Sequence, residues 1–385
     1  MDADFTAVAA LVLAGGSGER FWPLSRPHRP KQLLDLDGSG KCMLRQAVDH
    51  LNPLIPPNQL YISTNRLLAP TVRKLLKDIP ASHIYAEPCT KNTGGALIYT
   101  LARMLAAKGE EKLSAMTLAL VTADQKIERR FCFHRMLREA VATAQAEDAL
   151  VLCGIMPSRP EKGFGYIETT VSTPFCARGK KMVAWPVKAF HEKPDAARAR
   201  RFISTGRHFW NSGMLFCRFS VLMNQLQKAR PDMAALVYQL ATLIREKRLE
   251  EVDALFATLE AISIDHALLE HAGRILMVRG DFSWRDMGTW QSVAEERTPD
   301  DMGNVTAGNA AIMDCRDSII WNAATDKGIS VAALGLSDIV LVVTEDAVLV
   351  MHKEHAHDLK KLLAEMASKK KNVRQPKQKK DGDAH

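Results

Sequence analysis

The sequence predicts an α/β chain: one large domain built on a largely parallel sheet, followed by a small β module. Three observations carry this. Short apolar runs alternate with helical patterns from residue 7 to about residue 149, and the first run ends in a glycine-rich turn. Beyond Thr298 the texture changes to short apolar segments separated by Gly, Asn and Asp. Strand–helix alternation at this spacing argues for right-handed βαβ units, and short punctuated runs argue for a β module. In order, the first part predicts strands over Ala7–Ala14, Leu60–Ser63, His83–Ala86 and Thr117–Val121, and helices over Leu44–Leu51, Leu67–Asp78, Gly94–Ala107 and Phe131–Ala146. The middle predicts strands over Tyr166–Thr170 and Ala184–Phe190, then helices over Asp195–Ser204 and Val221–Leu226 and a long one from Asp232 to about Glu260. The last part predicts strands over Ala310–Asp314, Ser318–Trp321 and Ile339–Thr344, and an amphipathic helix over His355–Ala367. No repeat of solenoid period stands out.

At 385 residues and 46% apolar content the chain can bury a sizeable core. No apolar stretch reaches the roughly 18–20 residues that a bilayer requires, and no basic segment precedes a long apolar one at the N-terminus. The seven cysteines are scattered and never spaced C-x-x-C, a pattern of reduced thiols, so the expected location is cytoplasmic with no membrane partner. The net charge of +8 comes mostly from seven basic residues between Lys369 and Lys380. The body is therefore nearly neutral and gives no support for nucleic-acid binding, and the lysine-rich end reads as a disordered tail.

The chemistry concentrates at the end of the first strand. Leu13-Ala14-Gly15-Gly16-Ser17-Gly18 can turn exposed backbone N–H groups toward a polyphosphate, with Arg20 and Lys31 adding positive charge. No Gly-Lys-Ser/Thr ends a P-loop, and Phe21 stands where a dinucleotide fingerprint needs its third glycine. Asp124 closes the apolar run before it and is either a carboxylate reaching the crevice or an N-cap of the following helix. Asp286, in Trp284-Arg285-Asp286-Met287-Gly288, reads as a metal ligand or a turn former. Glu192-Lys193-Pro194 places an acceptor and a cation at a strand end, either for a ligand or as a surface ion pair. Asn211, between Trp210 and Gly213, can both donate to and accept from a hydroxyl, and Gly165 lets backbone approach a ligand.

Taken together these segments resemble the sugar-1-phosphate nucleotidylyltransferases, and more closely the bacterial mannose-1-phosphate guanylyltransferases. The likeness covers about residues 7–360. It rests on the run from Leu13 to Arg26, Pro30-Lys31-Gln32, Glu87-Pro88, Asn92-Thr93, Phe164-Gly165-Tyr166-Ile167, Glu192-Lys193-Pro194, Trp210-Asn211-Ser212-Gly213-Met214, Ser263-Ile264-Asp265 and Trp284 to Trp290. The resemblance implies a Rossmann-like nucleotidyltransferase domain with a mixed, mostly parallel sheet over residues 1–298, a small β module with a terminal helix over 299–367, and the basic tail over 368–385. It implies that GTP and mannose 1-phosphate give GDP-mannose and diphosphate. By position, Gly15, Gly16, Arg20 and Lys31 would hold the GTP phosphates, Asp124 and Asp286 would bind Mg2+, and Glu87 and Asn92 would lie beside the base. Gly165, Glu192 and Asn211 would hold the mannose, with Lys193 on its phosphate; Arg20, Lys31 and Lys193 are the groups expected to act on the reacting phosphates.

The sequence departs from the family pattern at three places. Glu19 stands before the arginine of the loop, where threonine is usual. Gln125 stands where histidine follows the metal-site aspartate, and Lys91-Asn92-Thr93-Gly94-Gly95-Ala96 replaces Arg-Asn-Thr-Ala-Pro-Ala. The long family members carry a phosphomannose-isomerising cupin. No His/Glu metal set follows Ala307, so a monofunctional enzyme is expected, with the β module as a natural homodimer contact. His352, His355 and His357 read as a solvated face of the last helix. A transferase for another sugar 1-phosphate and a silent regulatory paralogue that binds GDP-mannose remain as alternatives.

Overall fold

The apolar run Val8–Leu13 forms β1, all six residues of it buried, which is what a central parallel strand covered on both faces demands. In the computed structural model, which describes residues 3–16, 18–170, 184–324 and 328–373, the chain continues through α1 (Met43–Leu51), β2 (Leu60–Asn65), α2 (Ala69–Leu75), β3 (Ile84–Glu87), α3 (Asn92–Lys108), α4 (Glu110–Ser114) and β4 (Thr117–Thr122). There follow β5 (Gln125–Ile127), α5 (Arg130–Ala146), β6 (Leu150–Ile155), β7 (Tyr166–Thr169), β8 (Trp185–His191), α6 (Ala196–Ser204), β9 (His208–Arg218), α7 (Phe219–Ala229), α8 (Pro231–Arg245), α9 (Leu249–Ala257), β10 (Ile275–Gly280) and β11 (Trp284–Asp286).

Nine of these strands form one mixed sheet in the order β3-β2-β1-β4-β9-β6-β10-β8-β7, with β9 also pairing β7. The parallel character holds for β3-β2-β1-β4 and for β10 beside β6, while β9, β8 and β7 join antiparallel. The apolar faces of α3, α7, α8 and α9 and the sheet residues beneath them make the main core, including Leu97, Leu101, Leu222, Val237 and Phe256. The predicted long helix from Asp232 to Glu260 is two helices, α8 and α9. The break falls at Lys247, whose φ of 60° ends the first helical path, and Arg248 N–H reaches back to the Leu243 carbonyl.

The sequence reading missed β9 because Asn211-Ser212-Gly213 interrupts its apolar pattern. The structure shows why the strand survives. The β6 register shifts between Leu152 and Gly154, Gly213 takes φ 75°, and the Ser212 hydroxyl donates to the Cys153 carbonyl at 2.8 Å.

Two compact units divide the chain: Met1–Gly16 with Gly38–Asp286, and Ser17–Asp37 with Met287–His385. The expected boundary was at 298/299. Residues 17–37 belong with the C-terminal part because Phe21 packs edge-on against Trp290 at 5.5 Å and Arg26 pairs with Asp346 at 2.7 Å. The second unit contains α10 (Trp290–Ala294), β12 (Val305–Ala307), β13 (Ala310–Met313), β14 (Ile319–Asn322), β15 (Val331–Leu334), β16 (Ile339–Val343), β17 (Val348–His352) and α11 (Leu359–Val373). Here β12, β14 and β16 stack in parallel, as do β13 and β15, so the module winds as coils. The repeat escaped the sequence reading because its coils are unequal: Ile319 lies beside Val305 on one side and Val340 on the other. The final helix begins later than expected and runs to Val373, into the segment expected as tail. His352 ends β17 and His355 sits in a short turn before α11, so they are not on that helix; residues 374–385 and the His357 side chain lie outside what is described.

Candidate active site

The carboxyl ends of β1, β2 and β3 lie side by side, with Leu13 opposite Ser63 and Asn65 opposite Glu87. Ala14 N–H donates to the Ser63 carbonyl at 2.8 Å, so the chain leaves β1 still anchored to β2. A Cβ on Gly15 would sit 3.4 Å from Glu87 Oε1, which places the carboxylate directly against the loop, and Gly16 is exposed. Glu87 is only 4% exposed and accepts from the Ser63 hydroxyl at 2.9 Å. Burial pushes its carboxyl up to about 7, against the lowering effect of the Ser63 bond. Ser17 lies outside the described residues. Asn92 opens α3, exposed and with φ 60°, its Oδ1 accepting from Thr93 N–H.

Asp124 sits in the tight connection between β4 and β5, so it does not cap a helix. β5 pairs antiparallel with β11, and the register sets Asp286 opposite Gln125, the residue after Asp124. Two half-buried carboxylate residues thus share one end of a two-stranded ribbon. Gln125 explains one family departure. Its Oε1 accepts from Trp284 Nε1 at 2.9 Å and its Nε2 donates to the Ser212 carbonyl, so the amide ties the ribbon to β9.

Gly165 just before β7, Glu192 just after β8 and Asn211 on β9 come together at one end of the β7–β8 pair. Asn211 N–H donates to the Gly165 carbonyl at 2.8 Å, and a Cβ on Gly165 would meet Glu192 Oε2 and Phe190 Cζ at 2.8 Å and Asn211 Cβ at 3.5 Å. Only glycine leaves room for that approach. Lys193 is exposed, with φ 41°, and its Nζ meets Glu192 Oε1 at 2.6 Å, so the ion pair read as one alternative does form.

Asp265 belongs to this group, a role that the segment Ser263-Ile264-Asp265 does not reveal locally. It accepts from Asn211 Nδ2 at 3.1 Å, while Asn211 Oδ1 accepts from Gly213 N–H, so both ends of the amide are held. Burial, reinforced by the Glu192 charge, pushes the Asp265 carboxyl up to about 6. The same contact rationalises another departure: Gly94 N–H donates to the Ile262 carbonyl and Thr93 Oγ1 accepts from Ile264 N–H, docking the segment before Asp265 on the start of α3. Leu13, Thr93, Leu120, Asn211, Asp265 and Leu269 line a small cavity there.

In the second unit, Gly18 takes φ 62° and a Cβ on it would lie 2.5 Å from the Lys31 backbone nitrogen. Lys31 is 6% exposed, whereas Arg20 is exposed on a short helical turn over Glu19–Phe21. Glu19 faces Lys360 of α11, Oε2 to Nζ 4.0 Å, so the unusual acid has a base beside it.

A family model described as nucleotidyl transferase matches residues 9–301, and one described as MannoseP isomerase/GMP-like beta-helix domain matches 308–366. Alginate biosynthesis protein AlgA of Pseudomonas aeruginosa is 34% identical over 372 residues, covering 92% of this chain and 71% of that protein. A mannose-1-phosphate guanylyltransferase of Escherichia coli is 33% identical over 358 residues, covering 91% and 72%. A solved structure described as mannose-1-phosphate geranyltransferase from Thermus thermophilus superposes with a TM-score of 0.78 at 27% identity, covering 94% of this chain and all of that one. With the glycine turn after β1 and the residues gathered around Gly165, these matches show that the chain belongs to the nucleotidyl transferase family.

Proposed function

We propose that the chain transfers a guanylyl group from GTP to α-D-mannose 1-phosphate. A phosphate oxygen of the sugar phosphate attacks the α-phosphorus of GTP in line; the new P–O bond forms as the bond to the β-phosphate oxygen breaks, releasing diphosphate. The nucleophile is already an anion, so no base is required to create it, and the protein's task is to align two anions and offset their charge. The observation that carries this reading is the gathering of Gly165, Glu192 and Asn211, a carboxylate and an amide drawn close against a glycine, suited to sugar hydroxyls. The name of the 33% identical Escherichia coli relative supports mannose as the sugar and guanine as the base.

In this reading Glu192 and Asn211 orient the mannose, with Asp265 fixing the Asn211 amide, and Lys193 turns from Glu192 to the sugar phosphate. The N–H groups of the Leu13–Gly18 loop, Arg20 and Lys31 hold the triphosphate, and Glu87 and Asn92 flank the base. Asp124 and Asp286 offer hard oxygen donors at one ribbon end, which fits Mg2+. When bound there, Mg2+ would offset charge on the phosphoryl oxygens.

No helix among the described residues is long and apolar enough to cross a membrane, and we place the enzyme in the cytoplasm as a homodimer. Val348 and Val350 on the edge strand β17 are more than half exposed, apolar side chains suited to a second copy.

Diphosphate release tests the reading. GTP with mannose 1-phosphate should be the best pair among GTP, ATP, dTTP and UTP, each offered with mannose and glucose 1-phosphates. Asp124→Ala should lower turnover roughly a hundred- to a thousandfold in a folded protein. Preference for another pair, or near-normal turnover in that variant, would overturn it.

A further inference from the structure

The three adjacent strands β8, β7 and β9 carry a polar cluster that the proposed reaction does not use. Glu168 on β7 lies directly opposite His208 on β9, and His191 on β8 lies opposite Tyr166, two residues from Glu168 on the same face. One ligand-capable atom from each of the three falls within 4.8 Å of the other two. Glu168 Oε2 is 3.1 Å from His191 Nε2 and 3.9 Å from His208 Nε2.

The orientation of His208 is the informative detail. The Thr205 hydroxyl donates to the Phe202 carbonyl at 2.8 Å, so its oxygen is left to accept from His208 Nδ1 at 2.7 Å. That places the proton on Nδ1 and a lone pair on Nε2. His208 is 5% exposed, and its Nε2 has no hydrogen-bond partner among the described residues. Burial lowers its pKa to about 4, so the ring stays neutral. Burial opposes ionisation of Glu168, but bonds from Lys188 and His191 outweigh it and hold the carboxyl below its ordinary range. The Phe202 ring stacks on both imidazoles, at 4.9 Å from His191 and 4.2 Å from His208, and holds their planes. An imidazole whose far nitrogen donates to a fixed oxygen is the arrangement that orients a metal-binding histidine.

We propose that Glu168, His191 and His208 form a binding site for a borderline divalent cation of the Zn2+ class. Two imidazole nitrogens and one carboxylate oxygen select such an ion over Mg2+, a fourth position is left to water, and the proton that His191 Nε2 shares with Glu168 passes to His191 Nδ1 or to solvent on binding. Ligand atoms in a tetrahedral site lie about 3.4 Å apart when bonds are near 2.0–2.1 Å, so small side-chain rotations close the present spacing. Lys188 takes the other carboxylate oxygen, Oε1, at 2.8 Å; it is 60% exposed and free to swing outward. A bound ion would clamp β7, β8 and β9 where they carry Gly165, Glu192 and Asn211, since Glu192 directly follows His191.

The test is titration of the chelator-treated full chain with Zn2+ by calorimetry, and with Co2+ by visible absorption, both in excess Mg2+ so that oxygen-only sites are filled. One equivalent should bind with a tetrahedral Co2+ spectrum. Glu168→Gln, His191→Ala and His208→Ala should each weaken binding by more than tenfold, and Thr205→Val by about 10- to 100-fold. Lys188→Met should tighten it, because a competing cation is removed. His191 is the least buried of the three, 21% exposed, so its variant keeps the test open if the other two do not fold. Absence of stoichiometric binding, binding that survives Glu168→Gln and His191→Ala, or binding lost only on His352→Ala with His355→Ala would overturn the site.

Discussion

Glu87→Gln is the most direct probe of how the glycine-rich loop after β1 is underpinned. Glu87 is 4% exposed and lies against Gly15, with Ser63 its hydrogen-bond donor. Its pKa stands at about 7 in the folded chain against 4.5 for the ordinary side chain. Because the folded value is the higher, the folded state binds more protons between these two values. Stability therefore falls as pH rises through that window and levels off above about 7. At 1.36 kcal/mol per unit, ionised Glu87 costs the fold about 3 kcal/mol at pH 8. Glutamine keeps an oxygen for Ser63 and removes the charge. Urea unfolding of both proteins from pH 4 to pH 8 should show nearly equal stability at the acid end and a variant about 3 kcal/mol more stable at the alkaline end. Parallel pH profiles, or a variant less stable at pH 8, would refute the claim that a buried, raised carboxyl sits under the loop.

Other substitutions probe the remaining contacts. Gly165→Ala forces Glu192 and Phe190 back by several tenths of an ångström, and losing a charge-assisted bond of about 1.5–3 kcal/mol should cut kcat/KM for mannose 1-phosphate roughly 10- to 150-fold in steady-state assays. Gly18→Ala places a Cβ against Lys31 backbone at φ 62° and should cost about 2–4 kcal/mol by denaturant titration. Glu19→Gln removes an exposed pair at 4.0 Å, so stability should change by less than about 1 kcal/mol and kcat should hold, a result checked by melting and diphosphate release.

Parallel elements with a strong local period were legible: β1, β2, β3, β4, α3 and α5 appear within a few residues of their expected bounds, because burial on both faces or along one helical stripe writes itself into the apolar pattern. Elements set by their neighbours were not. β9 is held through its polar interruption by Ser212, Gly213 and the Cys153 carbonyl, and the coils of β12 to β16 repeat unevenly. Asp265 carries no local mark of its role, because its importance lies in a hydrogen bond to Asn211, far away in sequence.

By itself the sequence determined the residue types that the proposed chemistry needs and their order along the chain: the glycine turn, Lys31, two isolated aspartates, Glu192-Lys193 and Asn211. These depend on side-chain chemistry and local backbone demands, which the chain carries residue by residue. Only the tertiary structure decided that Gly165 yields to Glu192, that Asp286 stands opposite Gln125, and that residues 17–37 pack with the C-terminal unit. It also decided that Glu168, His191 and His208 meet on one face of three strands. Strand register and the packing of distant segments are products of the whole fold's free energy, so no local window contains them.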